Sequence, residues 1–482
     1  MENAPVSIAE TNNESEDKAV DLELPRSERT KPFWRNLTDI PIFGFFFAYS
    51  FAETIFTNLI IYRTCMVTLG YNETTCSLLV QSNDHNATKD LELEVQQYAS
   101  KIIMGKSLVM GIFPALISLI LGPWSDSNGR KPLIYLAMSG YSIYFILSCG
   151  LSLWDTLNPW WLILPAVPYS LMGGISSIIT GCFCYINDVT IAKDRSFRMG
   201  VMEAILLLGI LLGSLSSPYA FKALGYAYMF AICAAVTILS TIYALCLEES
   251  LPEHEMNKCS IFNISLATGM IKTCFKQRTH YRRTILWMVM ISSALAIFSQ
   301  EGDLTVTYLF TREKLDWVLR DYAWYGAFGI FNSVVGIFVS SFFFQKFLHL
   351  HDSVVSLLSF FSSLIRSILT AFASSSWNMY VASGVSLLRA SFGPTNRAML
   401  TKVVPQEDVG KVLSLTTSLE SIIPLIAAPL YSVVYQHTLD TFSGLYNFIS
   451  AGIFIICFVL IAIVDIIIRR NPSTEYDLLD SE

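Results

Sequence analysis

Apolar stretches long enough to cross a bilayer recur along this chain from Ile40 to Ile468, separated by polar segments rich in turn residues. A span needs about 20 apolar residues, and a helix satisfies its own backbone where no water reaches. The pattern predicts helices over 40–62, 100–121, 133–153, 160–187, 200–221 and 226–247. Six more are predicted over 284–310, 322–345, 353–373, 377–401, 412–435 and 442–468. These are spans one to twelve. The chain then reads as a polar tail (1–39), a six-helix half (40–247), a polar middle loop (248–283), a second six-helix half (284–468) and a short tail (469–482). The fold class is an all-α membrane protein of twelve transmembrane helices.

Composition agrees with that reading. Of 482 residues, 53% are hydrophobic and 15% charged, with a mean hydropathy of +0.49, whereas soluble domains carry about a quarter charged residues. The net charge of −7 and the scatter of basic residues give no footprint for nucleic acid. Lys and Arg set the orientation. Arg26, Arg29, Lys31 and Arg35 precede span one; Arg130, Lys131, Lys193, Arg195 and Arg198 occupy even-numbered loops. The middle loop holds Lys258, Lys272, Lys276, Arg278, Arg282 and Arg283, and Arg469 and Arg470 follow span twelve. Alternate loops carry few basic residues; after span seven, Arg312, Lys314 and Arg320 are balanced by Glu313, Asp316 and Asp321. Both termini are therefore expected in the cytoplasm.

The polar, acidic first 35 residues read as a disordered tail and not a cleavable signal, so span one serves as the anchor. The loop 63–98 holds two sequons, Asn72-Glu73-Thr74 and Asn86-Ala87-Thr88, on the side that meets the glycosylation machinery. Cys65 and Cys76, in or beside that loop, can pair in its oxidising compartment. The remaining cysteines read as small buried thiols. At the C-terminus, Tyr476-Asp477-Leu478-Leu479 has the tyrosine-plus-bulky-residue form that adaptor proteins recognise.

Between spans two and three stands GPWSDSNGRKPL, 122–133. On local chemistry it is a capped turn: Asn128-Gly129 reverses the chain, Pro132 suits a first helical turn, and Asp126 accepts from free amides or pairs with Arg130. Its position adds to this, for the stretch resembles the signature of the major facilitator superfamily between the second and third of twelve helices. The resemblance implies a latch between the two halves, made by Asp126, Gly129 and Arg130. The counterpart in the second half, QKFLHLHDS from Gln345, is eroded, which predicts a one-sided latch.

Two more stretches resemble solute carrier family 46, the proton-coupled folate transporter family. In INDVTIAKDRSFRMGVMEAILLLGILLG, 186–213, an Asp188-Val189 pair ends span four, followed by Arg195, Phe197, Arg198, Met199 and Glu203. In NRAMLTKVVPQEDVGKVLSL, 396–415, Arg397 leads the exit of span ten. The resemblance covers about 40–470. It implies that Asp188 belongs to the latch, that Glu203 carries a coupling proton and that Arg397 meets an anionic substrate group.

Ionisable residues inside spans are the bottom-up pointers to a pathway, because each costs a few kcal/mol at the bilayer centre unless paired or wetted. They are Glu53, Lys106, Glu203, Glu301, Asp303, Arg366, Arg389, Arg397 and Glu420. A carboxylate half-buried among apolar residues can take and release protons, so Glu203, Glu301 and Asp303 are candidates for proton coupling, with Glu203 alternatively a structural partner for an arginine of the other half. Arg397, Arg389 and Glu420 are candidates for substrate binding, since guanidinium grips a carboxylate with two parallel bonds; Arg389 alternatively pairs with Glu420. Glu53 and Arg366 read as structural or snorkelling, and Lys106 sits in MGKS, which is no phosphate loop inside a membrane helix.

The chain departs from the family at two places. Phe298 stands where folate-transporting members have a histidine, and 311–322 has no cysteine, so the family's link between the first loop and that loop cannot form. Glu420 and the terminal YDLL resemble the family's lysosomal member, which favours an endolysosomal membrane over the plasma membrane. The expected function is secondary active transport of a small organic anion, folate-like or another polar metabolite, coupled to protons. A facilitator without coupling, a lysosomal exporter of catabolites or signalling molecules, and a non-transporting receptor or scaffold are the alternatives. No enzyme motif lies on an aqueous face, and neither cofactor nor metal is expected. The expected partners are a small-molecule substrate, protons, the lipid bilayer and adaptor proteins.

The orientation yields a test. Asn72 and Asn86 are expected to carry glycans, while Asn13, Asn36 and Asn263, on the opposite side, stay bare. Mass spectrometry of the purified protein before and after glycosidase treatment checks this, and a glycan on any of the latter three overturns the orientation.

Overall fold

Helix follows the apolar pattern almost throughout. A computed structural model describes residues 37–81, 89–251, 269, 272–276, 281–317 and 319–470. Span one is Asp39–Arg63, span two lies within Lys89–Asn128 and span three is Arg130–Ser152. In the second half, span seven is Arg282–Leu315, span eight Leu319–Phe338 extended by wide turns over Val339–Phe347, and span nine Asp352–Ala371. Span eleven lies within Gln406–Phe442 and span twelve is Leu445–Arg470.

The other spans depart from single rods. Span four is assembled from Pro159–Ile163, Ala166–Leu171 and Gly174–Val189. Gly173 and Gly174, at φ +91° and +57°, allow the break because no Cβ obstructs it. Spans five and six are carried by Ala192–Cys246, where the chain turns at Gly225 with φ 72°. Span ten, expected as one helix, is Ser376–Val385, a short turn Arg389–Ser391, then Phe392–Val403. These departures explain why 10 of the described helices are long and apolar enough to cross a membrane: five and six count as one, and span ten is cut into short pieces.

Close packing rests on small residues. Along span five, Gly209, Gly213 and Ser217 recur every fourth position and face span one. A Cβ on Gly213 would lie 2.5 Å from the Phe47 carbonyl oxygen and one on Gly209 2.9 Å from that of Phe43, and Ser217 donates to the Phe51 carbonyl at 2.7 Å. The two backbones therefore run almost in contact.

A second small-residue face joins the halves. Span eleven presents Gly410, Ser414, Thr417, Ser418 and Ser421, spaced to share one side of a helix. Gly122 packs where a Cβ would overlap the Ser414 side chain. Ser118 and Ser418 share a hydrogen bond of 2.6 Å, as do Thr180 and Thr417, and Ser176 bonds Ser421. Spans two and four thus meet span eleven through hydroxyls rather than bulk.

At the opposite end of the bundle, Cys65 and Cys76 form a disulfide within the loop after span one, with Cα atoms 5.8 Å apart. Asn72 is exposed between them. Asn13, Asn36, Asn86, Asn263, Tyr476 and Leu479 lie outside the described residues.

The span one–span five contact predicts a sharp intolerance. Gly213→Leu drives a side chain into the Phe47 carbonyl and is expected to destabilise the protein by about 1–3 kcal/mol, read as a lowered melting temperature in detergent. Gly150→Leu, where a Cβ meets nothing within 4 Å, is the control expected to melt like the parent.

Candidate functional site

Three polar clusters cross or flank the boundary between the halves. The first is built on the turn between spans two and three. Arg130 is 1% exposed; its Nη1 donates to Asp126 Oδ1 and, at 3.0 Å, to Ser125 Oγ, while its Nε donates to Asp188 Oδ2 at 3.0 Å. Asp126 therefore pairs with arginine and leaves the free amides to another acid. Glu249, just after span six, accepts from the backbone N–H of Arg130 at 2.7 Å and of Lys131 at 3.2 Å. A carboxylate there neutralises the positive end of span three. Gly129, at φ 104°, leaves room for it, since a Cβ would overlap the Glu249 carboxylate. Across the boundary, Gly410 of span eleven packs where a Cβ would overlap Asp126 Oδ1. The cluster is thus a socket in one half for a bare helix of the other.

The second cluster stands at the eroded motif, where the sequence predicts a one-sided latch. Asp352, the surviving acid of the eroded motif, opens span nine and is 3% exposed. It accepts from Ser196 Oγ of the first half at 2.7 Å, Gln345 Nε2 at 3.0 Å and Lys402 Nζ at 2.8 Å. One turn deeper, Gly200 meets Ser341 where a Cβ would overlap the hydroxyl, and Lys346 Nζ sits 4.6 Å from the ring centroid of Phe197. Spans five and eight repeat the logic of spans two and eleven: a buried aspartate held by bases, with glycine giving close approach. The arginine of the first copy is replaced by Lys402, which reaches Asp352 from span ten. Motif spacing could not reveal that substitution.

Deeper in the bundle lies a triad. Arg397 donates from Nη2 to Glu420 Oε2 at 2.9 Å and from Nη1 to Glu203 Oε2 at 3.5 Å, its guanidinium centred 4.6 Å from the Phe183 ring centroid. The side chains are 9%, 14% and 20% exposed for Arg397, Glu420 and Glu203. Glu203 belongs to the first half, its two partners to the second. Two carboxylates share one guanidinium, and the Arg397 Nε is buried without a partner among the described residues. The cluster therefore carries one acid in excess, and Glu203 is the more exposed and more distant of the two.

Arg389 does not pair with Glu420. The break in span ten turns its side chain to span seven, where Nη2 lies 3.5 Å from Asp303 Oδ2. Asp303 also accepts from Ser450 Oγ at 2.5 Å, and Ser450 bonds Tyr431 at 2.9 Å. Ser359 and Ser362 donate to the carbonyls of Arg389 and Val385 at the break, at 2.8 and 2.9 Å, satisfying backbone that a continuous helix would have satisfied itself. Arg366 donates to Tyr325 OH at 3.3 Å. Glu301 is half-buried on span seven, and Phe298 stacks edge-on against Tyr431 at 5.9 Å. No group of three or more metal-ligating side chains occurs among the described residues.

Comparisons with known proteins follow the same lines. Residues 42–427 match the family model of the Major Facilitator Superfamily. A Drosophila melanogaster protein named "Probable peptidoglycan muropeptide transporter SLC46" is 32% identical over 454 residues, 91% of this chain and 87% of that protein. The proton-coupled folate transporter of Rattus norvegicus is 25% identical over 429 residues, 87% and 89% of the two chains. The human lysosomal proton-coupled steroid conjugate and bile acid symporter SLC46A3 is 25% identical over 408 residues, 81% and 84%. Among solved structures, the human organic anion transporter MFSD10 superposes with a TM-score of 0.69 at 13% identity, covering 89% of this chain and 100% of that one. The transporter FucP in its outward conformation gives 0.62 at 12% identity, covering 89% and 99%. These structures establish the shared fold.

If both buried aspartates close one end of the bundle, removing either loosens it. Asp126→Ala and Asp352→Ala are each expected to shift the balance of closed and open forms by about 1–3 kcal/mol. A cysteine at Ser418, buried against Ser118, reports the shift as faster labelling by a water-soluble maleimide. Unchanged labelling in Asp352→Ala restores the one-sided latch.

Proposed function

Because this chain belongs to the major facilitator superfamily and, within it, to solute carrier family 46, we propose that it carries a small organic anion by alternating access. In this reading Glu203 takes the coupling proton and Arg397 receives the anion. The chain is a multi-pass membrane protein and a secondary active transporter, not an enzyme. The observation that carries the proposal is the triad: one guanidinium held between carboxylates of opposite halves, with one acid in excess. In a medium without water a net charge is strongly disfavoured, so the triad takes a proton on Glu203. Protonation of Glu203 releases the ionic link between halves, the step that lets them rock apart at the latch end.

The latch end is the cytoplasmic one in this reading, and both termini lie there. Glu420 holds Arg397 in place for the substrate group. Asp303, saturated by Ser450 and Arg389, keeps the broken span ten against span seven, and Glu301 is a second acid facing the boundary. The relatives' names point to muropeptides, folate, steroid conjugates and bile acids, and Phe298 in place of the family's histidine argues against folate as the main cargo. Tyr476 to Leu479 serves as an adaptor-binding signal that directs the protein to an endolysosomal membrane.

The test is flux of labelled muramyl dipeptide, folate and taurocholate in vesicles with an imposed pH gradient. Glu203→Gln, which mimics the protonated form at nearly constant volume, is expected to lose gradient-driven flux while keeping substrate exchange. Exchange needs the halves to rock but needs no proton release. A purely structural glutamate behaves otherwise: loss of a buried pair partner costs about 3–5 kcal/mol, so abundance and both modes fall together. An equal fall in exchange and gradient-driven flux sinks the coupling role.

A further inference from the structure

Just beyond span six the chain leaves the helix and folds back on the end of span four. The Glu248 carbonyl accepts from the buried Tyr185 hydroxyl at 2.9 Å, and Ser250 Oγ donates to Asp188 Oδ2 at 3.0 Å. That same oxygen of Asp188 accepts from Arg130 Nε at 3.0 Å. Ser250 therefore stands one side chain away from the guanidinium that holds Asp126. Its neighbour Glu249 already caps span three, so the latch as described leaves the Ser250 hydroxyl without a task of its own.

The sequence around this serine is acidic. In EESLPEHE, 248–255, carboxylates stand at the two positions before it and at the third and fifth after it. An acid at the third position after a serine is the pattern that acidophilic protein kinases of the casein kinase 2 type select. Ser250 is half-buried, lies outside the helix and has its hydroxyl held by one hydrogen bond, so it can be lifted toward an enzyme without stranding a buried charge. With the latch end in the cytoplasm, as proposed, it meets the compartment that holds ATP and such kinases.

We propose that Ser250 is a phosphorylation site whose modification opens the latch. Ser250 Oγ attacks the γ-phosphorus of ATP as the bond to the β–γ bridging oxygen breaks; ADP leaves with that electron pair, and the hydroxyl proton passes to the kinase's base. The product replaces a hydrogen-bond donor with about −1.5 to −2 charges. It does so beside two carboxylates, Asp188 and Glu249, the latter accepting from the Ser250 backbone N–H at 3.0 Å. Asp188 is repelled, and Arg130, already bonded to it, turns from Asp126 to the phosphate, which a guanidinium grips with two parallel bonds. Lys411 of the other half pairs with Asp408 at 2.9 Å and does not replace it. Asp126, deprived of its cation against the bare helix at Gly410, is stable only where water reaches it. The phosphate thus acts inside the first half and weakens its contact with span eleven. This rests on the latch reading and adds a control over it that is independent of the cargo.

The test uses the full chain in detergent with Ser418→Cys, treated with casein kinase 2 and ATP. Peptide mass spectrometry reads phosphate at Ser250 and maleimide uptake at position 418. Phosphate is expected at Ser250, with labelling about tenfold faster than in the untreated chain. Ser250→Ala, which loses only the bond to Asp188, is expected to label like the untreated parent and to gain nothing from the kinase, although other serines remain available to it. Asp126→Ala marks the opened latch. If Asp126→Ala speeds labelling and phosphate at Ser250 does not, the switch is overturned and the latch stands. If neither speeds it, the latch reading falls and the switch with it. Absence of phosphate at Ser250 while the kinase modifies added casein overturns the site. Ser250→Ala labelling as fast as the phosphorylated chain makes the hydroxyl a structural tie and overturns the proposal as well.

Discussion

A guanidinium buried between two carboxylates inside a lipid-embedded bundle is the interaction on which the rest of this structure depends. Arg397 cannot be left alone at that depth, because water is not there to take the place of a lost partner. Its partners come from span eleven of its own half and span five of the other, so the charge balance of the interior and the contact between halves are one quantity. The distances are unequal, 2.9 Å to Glu420 and 3.5 Å to Glu203: the short bond ties the arginine to its own half and the long bond reaches the other.

That long bond forms only because the surrounding helices approach closely. In lipid there is no hydrophobic drive to press helix on helix, so packing and interhelical hydrogen bonds decide association. Gly122, Gly200 and Gly410 remove side-chain bulk at the boundary, and Ser118, Thr180 and Ser176 bond the hydroxyls of span eleven. Hydroxyl pairs hold two surfaces in register yet release without stranding a charge. The boundary is therefore suited to opening and closing, whereas span five against span one, backbone on backbone, is suited to moving as a unit.

The two aspartate clusters place the polar closure at one end. Asp126 lies at the end of span two and Asp352 opens span nine, on either side of corresponding turns of the two halves, each side chain largely buried and each beside a glycine or serine of the other half. Internal repetition of this kind gives two similar hinges flanking one central site, the geometry on which rocking carriers are built. At the far end the covalent tie is local, Cys65 to Cys76 within one loop, which joins nothing across the halves and leaves them free to separate.

Much of this was legible in the residues. Run lengths and turn residues located twelve spans, because a bilayer demands the same length of apolar helix each time, and the ionisable residues within them named Glu203, Asp303, Arg389, Arg397 and Glu420. What the sequence could not provide was who meets whom. Arg389 and Arg397 are separated by two turns on paper, yet a break in span ten sends one to Asp303 and the other to Glu203 and Glu420. Asp352 looked like the remnant of an eroded motif, but Lys402 comes to it from another span. Glu249 caps span three from far along the chain with no local pattern to announce it. Sequence alone determined which charges must be neutralised inside the membrane, since that follows from the solvent. Tertiary structure alone decided the pairing, since partners there are set by helix breaks and by which small residues let two backbones come within reach.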